Sequence, residues 1–201
     1  LPARSEMCIR DRDKTEEILD VKDIKIPGDH NIRNIMAAVI ACKLLKIDLD
    51  VIKKSIVSFT GVEHRIEFVR EVDGVKYYND SKGTNPDSTE VAVAAMDGDV
   101  VLIAGGYDKG ADFDNLIEKS KDKLKTAILF GQTAEKISNS CKNHGVEFYI
   151  TEDLKKAVEL AKKLAIKGDD VLLSPACASW DMYKSYEVRG QHFKDLVKEL
   201  M

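Results

Sequence analysis

DVVLIAGG at residues 99–106 has the pattern of a buried strand that ends in two glycines, and TAILFG (126–131) and DVLLSPA (170–176) repeat it. Short apolar runs bounded by turn residues are typical of strands buried on both faces of a sheet. The segments between them, DFDNLIEKSKDK, TAEKISNSCKNHG and TEDLKKAVELAKKLAIKG, predict helices; the second is closed by a glycine, and the last is expected to be capped by Thr151 and stopped by Gly168. The alternation predicts an α/β fold: a Rossmann-like, mostly parallel sheet with helices on both faces.

Further elements flank this core pattern. IEFVREVDGVKYYND contains two strand-like runs joined by Asp73-Gly74, which is a strong hairpin signal. VEFYI predicts another strand, and a last helix is expected from about Glu187 to Leu200. Upstream, EILDVKDIKIPGDH reads as the end of a β segment, and a helix with apolar residues at helical spacing follows from His30. A second helix fits Asp48 to Phe59, with Asp48 as its N-cap.

The chain therefore divides near Gly61 into a helical segment and an α/β domain over residues 61–201. Residues 1–12, LPARSEMCIRDR, show no periodicity and are interpreted as a disordered tail or a junction artefact. Apolar surface is expected to be exposed on the segment before residue 61.

Composition excludes several classes of function. With 44% hydrophobic and 33% charged residues, the chain has enough apolar material for a core. A net charge of −4 argues against nucleic-acid binding, and no run is long enough to span a membrane. The four cysteines (Cys8, Cys42, Cys141 and Cys177) lack metal-binding spacing and predict reduced thiols of a cytoplasmic protein.

Three polar loops each follow an apolar strand: NDSKGTN at residues 79–85, GGYDKGADF at 105–113 and SPACASWDMY at 174–183. Ligands of such sheets bind beyond the carboxyl ends of the strands, so the three loops predict one binding site. In the first loop, Lys82 and Thr84 precede a helix that begins at Pro86, an arrangement suited to an anion. An ordinary capped turn is the alternative.

Other candidates are weaker on the residues alone. The Walker pattern GxxxxGK[ST] and the dinucleotide pattern GxGxxG are both absent from the sequence. Cys177 and Ser179 lack a nucleophile elbow, so Ser179 is favoured as a hydrogen-bond donor to a carboxylate, and Trp180 as a packing residue. Asn31 and Asn34 lie three apart on a predicted helix, where they could bind a purine edge or cap local backbone.

Five segments occur in an order and spacing that resembles a known family. They are GDHNIRNIMAA, GVEHRIEFV, NDSKGTN, GGYDKGADF and LSPACASWDMYKSYEVRGQHF. Together they resemble the Mur ligases of peptidoglycan synthesis, in the branch that adds D-glutamate to UDP-N-acetylmuramoyl-L-alanine. The resemblance covers about Ile18 to Met201. Glycine at 83, tryptophan at 180 and tyrosine at 186 depart from relatives that often carry Ala, Leu or Phe, and these departures look conservative.

The resemblance implies that residues 13–60 are a remnant of a central ATP-binding domain and that residues 61–201 are the C-terminal domain. It also implies that the phosphate-binding loop and the Mg²⁺ ligands lie upstream, so that this chain alone is expected to be inactive. The full-length enzyme is expected to be a monomer that joins the two substrates through an acyl phosphate, with ATP and Mg²⁺. A non-catalytic module that binds a nucleotide or an acidic metabolite is the alternative, and a generic Rossmann-like oxidoreductase is a weaker one.

The resemblance also implies roles for individual residues. The D-glutamate site is expected to comprise Thr84, Lys109, Ser179, Trp180 (through its backbone) and Tyr186. The ATP site is expected to comprise Asn31, Asn34, His64, Arg65, Asp80 and Lys82. No metal ligand and no residue with a direct catalytic role is expected in this chain.

Overall fold

The computed structural model describes the backbone of residues 6–11 and 14–201 and the side chains of residues 16–201. The described residues divide into two compact units: the N-terminal unit, which ends at Gly61, and the sheet unit, Val62–Met201. Each unit has apolar clusters of its own. Cys8 and the residues before Glu6 lie outside the described side chains.

The N-terminal unit is a β-hairpin followed by two helices. Strand β1 (Glu6–Asp11) pairs antiparallel with β2 (Lys14–Asp20), and a short 3-10 turn leads to α1 (Asp29–Leu44) and α2 (Leu49–Ser58). The expected disordered tail at residues 1–12 is therefore wrong for residues 6–11. Pairing with β2 satisfies the backbone groups of β1 that face it, and an apolar period is not needed for that.

A small core holds this unit together, and much apolar surface stays exposed. Asp48 caps α2 as predicted, because its Oδ1 accepts a hydrogen bond from Asp50 N at 2.9 Å. Leu44 and Leu45 are 79% and 75% exposed, which confirms the expected apolar surface. The buried residues are Ile18, Leu19, Val39 and Ile52.

The sheet unit begins with the predicted hairpin. Strands β3 (Glu67–Val72) and β4 (Val75–Asn79) are antiparallel, and Asp73 and Gly74 form the turn. Their φ angles of 53° and 80° are both positive, as a type I′ turn requires. Aspartate tolerates this conformation and glycine prefers it, so the two-residue turn follows from the sequence.

The remaining elements alternate as predicted. The helices are α3 (Pro86–Ala94), α4 (Asp114–Ser120), α5 (Ala134–His144), α6 (Leu154–Leu164) and α7 (Tyr186–Lys198). The strands are β5 (Val100–Ala104), β6 (Leu124–Leu129), β7 (Phe148–Ile150) and β8 (Asp170–Leu173). The sheet order is β3-β4-β8-β5-β6-β7, and every pair except β3–β4 is parallel. The predicted α/β class is confirmed.

Helices cover both faces of this sheet. Along β5, Val100, Leu102 and Ala104 belong to the apolar cluster that includes residues of α3, α4 and α5. Val101 and Ile103 belong to the opposite cluster, which includes residues of α6 and α7. All five side chains are buried, as expected for a central parallel strand.

Two predicted helix boundaries are wrong. Helix α6 begins at Leu154, and its cap is Asp153, whose Oδ1 accepts from Lys156 N at 2.8 Å, because the Thr151 hydroxyl is directed to backbone carbonyls instead. The helix ends at Leu164, and Gly168 lies in the following turn. Gly145 does close α5, with a φ of 71°. No helix among the described residues is long and apolar enough to cross a membrane.

Candidate functional site at the carboxyl edge of the sheet

The strand order brings the three polar loops together. Strand β8 is the last in the chain but lies between β4 and β5, so the loops after these three strands are neighbours. We call this region, residues 79–85, 105–109 and 174–180, the carboxyl-edge site. It lies where the chain reverses its winding direction, which is where open α/β sheets bind ligands.

Asp80 links the first loop to the third. Its Oδ2 accepts a hydrogen bond from the Ser174 hydroxyl at 2.7 Å, and its Oδ1 accepts one from Ile66 N at 3.2 Å. Burial raises the pKa of Asp80 to about 6, although Ser174, the Ile66 N–H and the nearby Arg65 cation each favour the carboxylate. At neutral pH the group is therefore a buried anion with defined orientation.

His64 is held beside Asp80's loop by an amide. Asn79 Nδ2 lies 2.9 Å from His64 Nδ1 and 3.0 Å from Glu67 Oε2, so it can donate to both. With Nδ1 as the acceptor, the imidazole carries its proton on Nε2. His64 is only 6% exposed, and its ring meets the edge of the Tyr186 ring at 6.1 Å.

The backbone around His64 is strained. His64 and Ile66 have φ angles of 63° and 44°, in a region that a β-branched residue rarely adopts. Gly190 on α7 packs directly against the imidazole: a Cβ there would lie 2.3 Å from His64 Nδ1. Strain of this kind persists only where surrounding contacts impose it, and it clusters at ligand sites.

Arg189 on α7 connects the first and third loops. Its Nη2 donates to Ser81 O at 2.9 Å and to Cys177 O at 3.1 Å, and its Nη1 donates to Ala178 O at 3.3 Å. The side chain is fully buried, and burial lowers its pKa to about 10, so it remains a cation at neutral pH. One guanidinium thus adds a second link between the two loops that Asp80 and Ser174 also join.

Sequence reasoning missed Arg189, although a signal was present. Arg189, Phe193 and Val197 follow each other at four-residue spacing on α7, and all three are fully buried. An arginine in the apolar stripe of a helix is unusual, because such a charge needs compensation inside the protein. The position therefore indicated a buried polar network.

The second loop is pressed against the third. Tyr107 N donates to Ala178 O at 2.9 Å, and a Cβ on Gly106 would lie 2.3 Å from that same oxygen. Sequence reasoning also missed Thr133. Its Oγ1 lies 3.1 Å from Gly106 N and 3.2 Å from Cys177 Sγ. Burial raises the pKa of Cys177 to about 11, which disfavours the thiolate that a nucleophile needs.

Four of the five predicted D-glutamate residues are in or beside this site, although the Tyr186 side chain already hydrogen-bonds to Glu187. Ser179 is 2% exposed, and its hydroxyl has no hydrogen-bond partner among the described residues. The exposed Lys109 has no ion-pair partner among them either, and Thr84 and Tyr186 are half-buried. The packing interpretation of Trp180 is wrong, because the residue is 65% exposed and its ring meets only the Tyr107 ring among the described aromatic residues.

The residues predicted to bind ATP fall into two groups. His64, Arg65, Asp80 and Lys82 lie close together in the sheet unit, where Lys82 N donates to His64 O at 3.0 Å. Arg65 and Lys82 are exposed cations without ion-pair partners among the described residues. The other group, Asn31 and Asn34, lies on α1 of the N-terminal unit; Asn31 Nδ2 donates to Pro27 O, and Asn34 is exposed.

One cluster in the described part of the chain has the spacing of metal ligands. It consists of Glu63, His64 and Glu67, whose ligand atoms lie within 4.8 Å of one another. Lys194 Nζ lies 2.7 Å from a carboxylate oxygen of each glutamate. The single ammonium offsets one of the two carboxylate charges and lies against an oxygen of each glutamate, so the cluster already pairs with a cation of the protein.

A Rossmann-like sheet with polar loops beyond strands β4, β8 and β5 is the architecture of α/β domains that bind ligands at this edge. Residues 64–177 match the family model of the Mur ligase, glutamate ligase domain, and the chain belongs to the Mur ligase family. Among curated proteins it is 51% identical over 193 residues to UDP-N-acetylmuramoylalanine–D-glutamate ligase of Clostridioides difficile, with 96% of this chain and 43% of that protein covered. The enzyme of the same name from Caldanaerobacter subterraneus is 47% identical, with 93% and 42% covered.

Solved structures agree on the fold. MurF from Acinetobacter baumannii matches 96% of this chain with a TM-score of 0.71 at 16% identity. MurC from Thermotoga maritima matches 97% with a TM-score of 0.67 at 18% identity. These structures support the architecture only, because identity is low. The chain spans 42–44% of the length of the proteins named here.

Proposed function

We propose that this chain is the D-glutamate-binding and ATP-clamping part of an ATP-dependent ligase that adds D-glutamate to UDP-N-acetylmuramoyl-L-alanine in peptidoglycan synthesis. The support from comparison is the identity of about half to curated ligases of that name over nearly the whole chain. The structural support is the carboxyl-edge site, whose hydroxyl and ammonium groups are suited to binding anions.

Ser179 is the observation that carries the proposal. A buried hydroxyl without a hydrogen-bond partner is costly, and such groups in native proteins call for an explanation. A ligand carboxylate would supply the missing acceptor. D-Glutamate has two carboxylates. Lys109, which has no ion-pair partner among the described residues, offers the second carboxylate a complementary partner together with the Thr84 hydroxyl.

The nucleotide is proposed to lie beside the first loop. Arg65 and Lys82 supply exposed positive charge for its phosphates, and the oriented Asp80 carboxylate can accept hydrogen bonds from ribose hydroxyls. His64, with its proton on Nε2, can donate one further hydrogen bond. Asn31 and Asn34 belong to the N-terminal unit, and their assignment to the adenine rests on the family resemblance alone.

The proposed reaction has two steps. The γ-phosphoryl group moves from ATP to the alanyl carboxylate, which releases ADP and leaves an acyl phosphate. The unprotonated amine of D-glutamate then attacks the acyl carbon, the amide forms, inorganic phosphate leaves, and the amine loses a proton. This chain's residues act by orienting the amine and by stabilising charge. Bound Mg²⁺ would offset phosphate charge, and the proposal assigns it no ligand among the described residues.

A chimeric enzyme tests the proposal. The chain would replace the matching C-terminal part, 43%, of the Clostridioides difficile relative. We expect phosphate release that requires ATP, UDP-N-acetylmuramoyl-L-alanine and D-glutamate together, and none from the chain by itself. A chimera that unfolds cooperatively and binds the uridine substrate, yet releases no D-glutamate-dependent phosphate, would contradict the proposal.

A further inference from the structure

We propose that the rings of Tyr107 and Trp180 form an aromatic wall against the aliphatic carbons of the bound dicarboxylic amino acid. Tyr107 is then a residue that determines specificity for side-chain length. The inference deepens the proposed function and rests on it. Neither the family resemblance nor the loop motifs assigned a role to Tyr107.

The two rings form an exposed pair on two loops of the carboxyl-edge site. Their centroids are 5.6 Å apart at an interplanar angle of 56°, which is within the usual range for aromatic contacts. Trp180 remains 65% exposed and Tyr107 39% exposed. Exposed aromatic surface beside a buried polar group is typical of a ligand site rather than of packing.

The backbone holds this wall in place. Tyr107 and Ala178 form an isolated antiparallel bridge, with Tyr107 N donating to Ala178 O. Gly106 packs so closely on that carbonyl that a Cβ would not fit. Arg189 Nη1 donates to the same carbonyl at 3.3 Å. The pair is therefore carried by two loops that are fixed to each other, as a preorganised binding surface requires.

Ser179 lies between the two halves of this arrangement. It follows Ala178, the bridge partner of Tyr107, and precedes Trp180. Its hydroxyl, which has no hydrogen-bond partner among the described residues, is therefore next in sequence to one residue of the pair and to the bridge partner of the other. A ligand whose carboxylate binds Ser179 has its neighbouring carbon atoms next to residues 178–180. The ligand is thus an acid with an aliphatic portion next to its carboxylate.

Length discrimination follows from this geometry. Polar groups can bind the two carboxylates of the ligand, but burial of the methylenes between them adds to the affinity only where they contact an apolar surface. Burying one methylene changes affinity by about fourfold. D-Aspartate, which is one methylene shorter than D-glutamate, loses that contact and also misplaces its second carboxylate.

The single tryptophan provides the measurement. Trp180 is the only tryptophan in the chain, so the fluorescence of the 201-residue protein reports on the proposed wall itself. We would titrate wild type, Tyr107→Ala and Tyr107→Phe with D-glutamate and with D-aspartate. Tyr149→Ala is the matched control, because Tyr149 is a half-buried tyrosine on β7 at the far edge of the sheet.

We expect Tyr107→Ala to bind D-glutamate about 3- to 10-fold more weakly than wild type and to lose most of its preference over D-aspartate. Tyr107→Phe and Tyr149→Ala should behave as wild type. If wild type binds D-glutamate and Tyr107→Ala retains both affinity and preference, the wall is refuted while the proposed function stands. If wild type does not bind D-glutamate at all, the proposed function fails and the inference with it.

Discussion

Arg189 Nε donates to the Ser81 hydroxyl at 3.0 Å, across 108 residues of sequence. That hydroxyl in turn donates to Tyr186 O at 2.8 Å, so helix α7 and the loop after β4 share one buried hydrogen-bond network. The other guanidinium nitrogens donate to carbonyls of the loop after β8, so Arg189 joins the same two loops that the Asp80–Ser174 hydrogen bond joins.

Replacing Arg189 by methionine should therefore destabilise the sheet unit. Several buried acceptors would lose a charged donor, and we expect the free energy of unfolding to fall by about 2–4 kcal/mol. Urea unfolding followed by Trp180 fluorescence measures this, because Trp180 lies in the same unit.

Arg70→Met is the control for that experiment. Arg70 is half-buried and makes one hydrogen bond, from Nη1 to Lys198 O at 2.8 Å. Its loss should cost less than about 1 kcal/mol. Equal losses of unfolding free energy in the two variants would show that the Arg189 network stabilises the protein no more than a single hydrogen bond does.

The titration of Asp80 predicts a pH dependence of stability. Burial raises its pKa from 3.8 to about 6, so the folded protein binds this proton more tightly than the unfolded chain does. The resulting stabilisation is complete below about pH 4 and is lost as the pH rises through about 6. Relative to Asp80→Asn, the free energy of unfolding of wild type should fall by roughly 2 kcal/mol between pH 4 and pH 7.

Urea unfolding at a series of pH values, for wild type and Asp80→Asn, measures that difference. Asp87→Asn, on the exposed start of α3, is the control and should follow the wild-type curve. A stability difference between wild type and Asp80→Asn that stays constant over this pH range would contradict the assigned pKa.

Gly83 is less replaceable than the comparison with relatives suggested. A Cβ at this position would lie 2.3 Å from Asp80 Oδ2 and 2.8 Å from Ser174 Oγ, so the expectation of a conservative departure does not hold for this chain. Gly83→Ala should force the carboxylate to rotate and should lower the free energy of unfolding by about 1–3 kcal/mol. The exposed neighbour Lys82, changed to alanine, should cost less than about 0.5 kcal/mol in the same urea assay. A Gly83→Ala protein as stable as wild type would show that the loop adapts freely.

Local patterns predicted most of the fold. Buried runs such as residues 99–106, the positive φ angles required at Asp73-Gly74 and the cap at Asp48 are each set by neighbours in sequence. The misplaced cap at Thr151 shows the limit of such patterns, because two polar residues competed and Asp153 became the cap.

The interior of the site was less accessible to sequence reasoning. The three loops were predicted to meet, but the contacts among Asp80, Ser174 and Arg189 arise because β8 inserts between β4 and β5. Strand order is a non-local property, and no spacing along the chain encodes it. The exposure of Trp180 was missed for the same reason, since it depends on which loops surround it.

The central claim is that D-glutamate binds at Thr84, Lys109 and Ser179 of the carboxyl-edge site, and that the nucleotide binds separately, beside Arg65 and Asp80. Lys109 tests it most directly, because its exposed ammonium has no ion-pair partner among the described residues. A charged hydrogen bond contributes about 1.5–3 kcal/mol, so Lys109→Ala in the chimeric enzyme should raise the KM for D-glutamate about tenfold to a hundredfold.

Steady-state kinetics in which each substrate is varied in turn provides the measurement. Lys109→Ala should leave the KM for ATP nearly unchanged, whereas Arg65→Ala should raise the KM for ATP more than that for D-glutamate. If Lys109→Ala weakened ATP and spared D-glutamate, the placement of both ligands would be wrong.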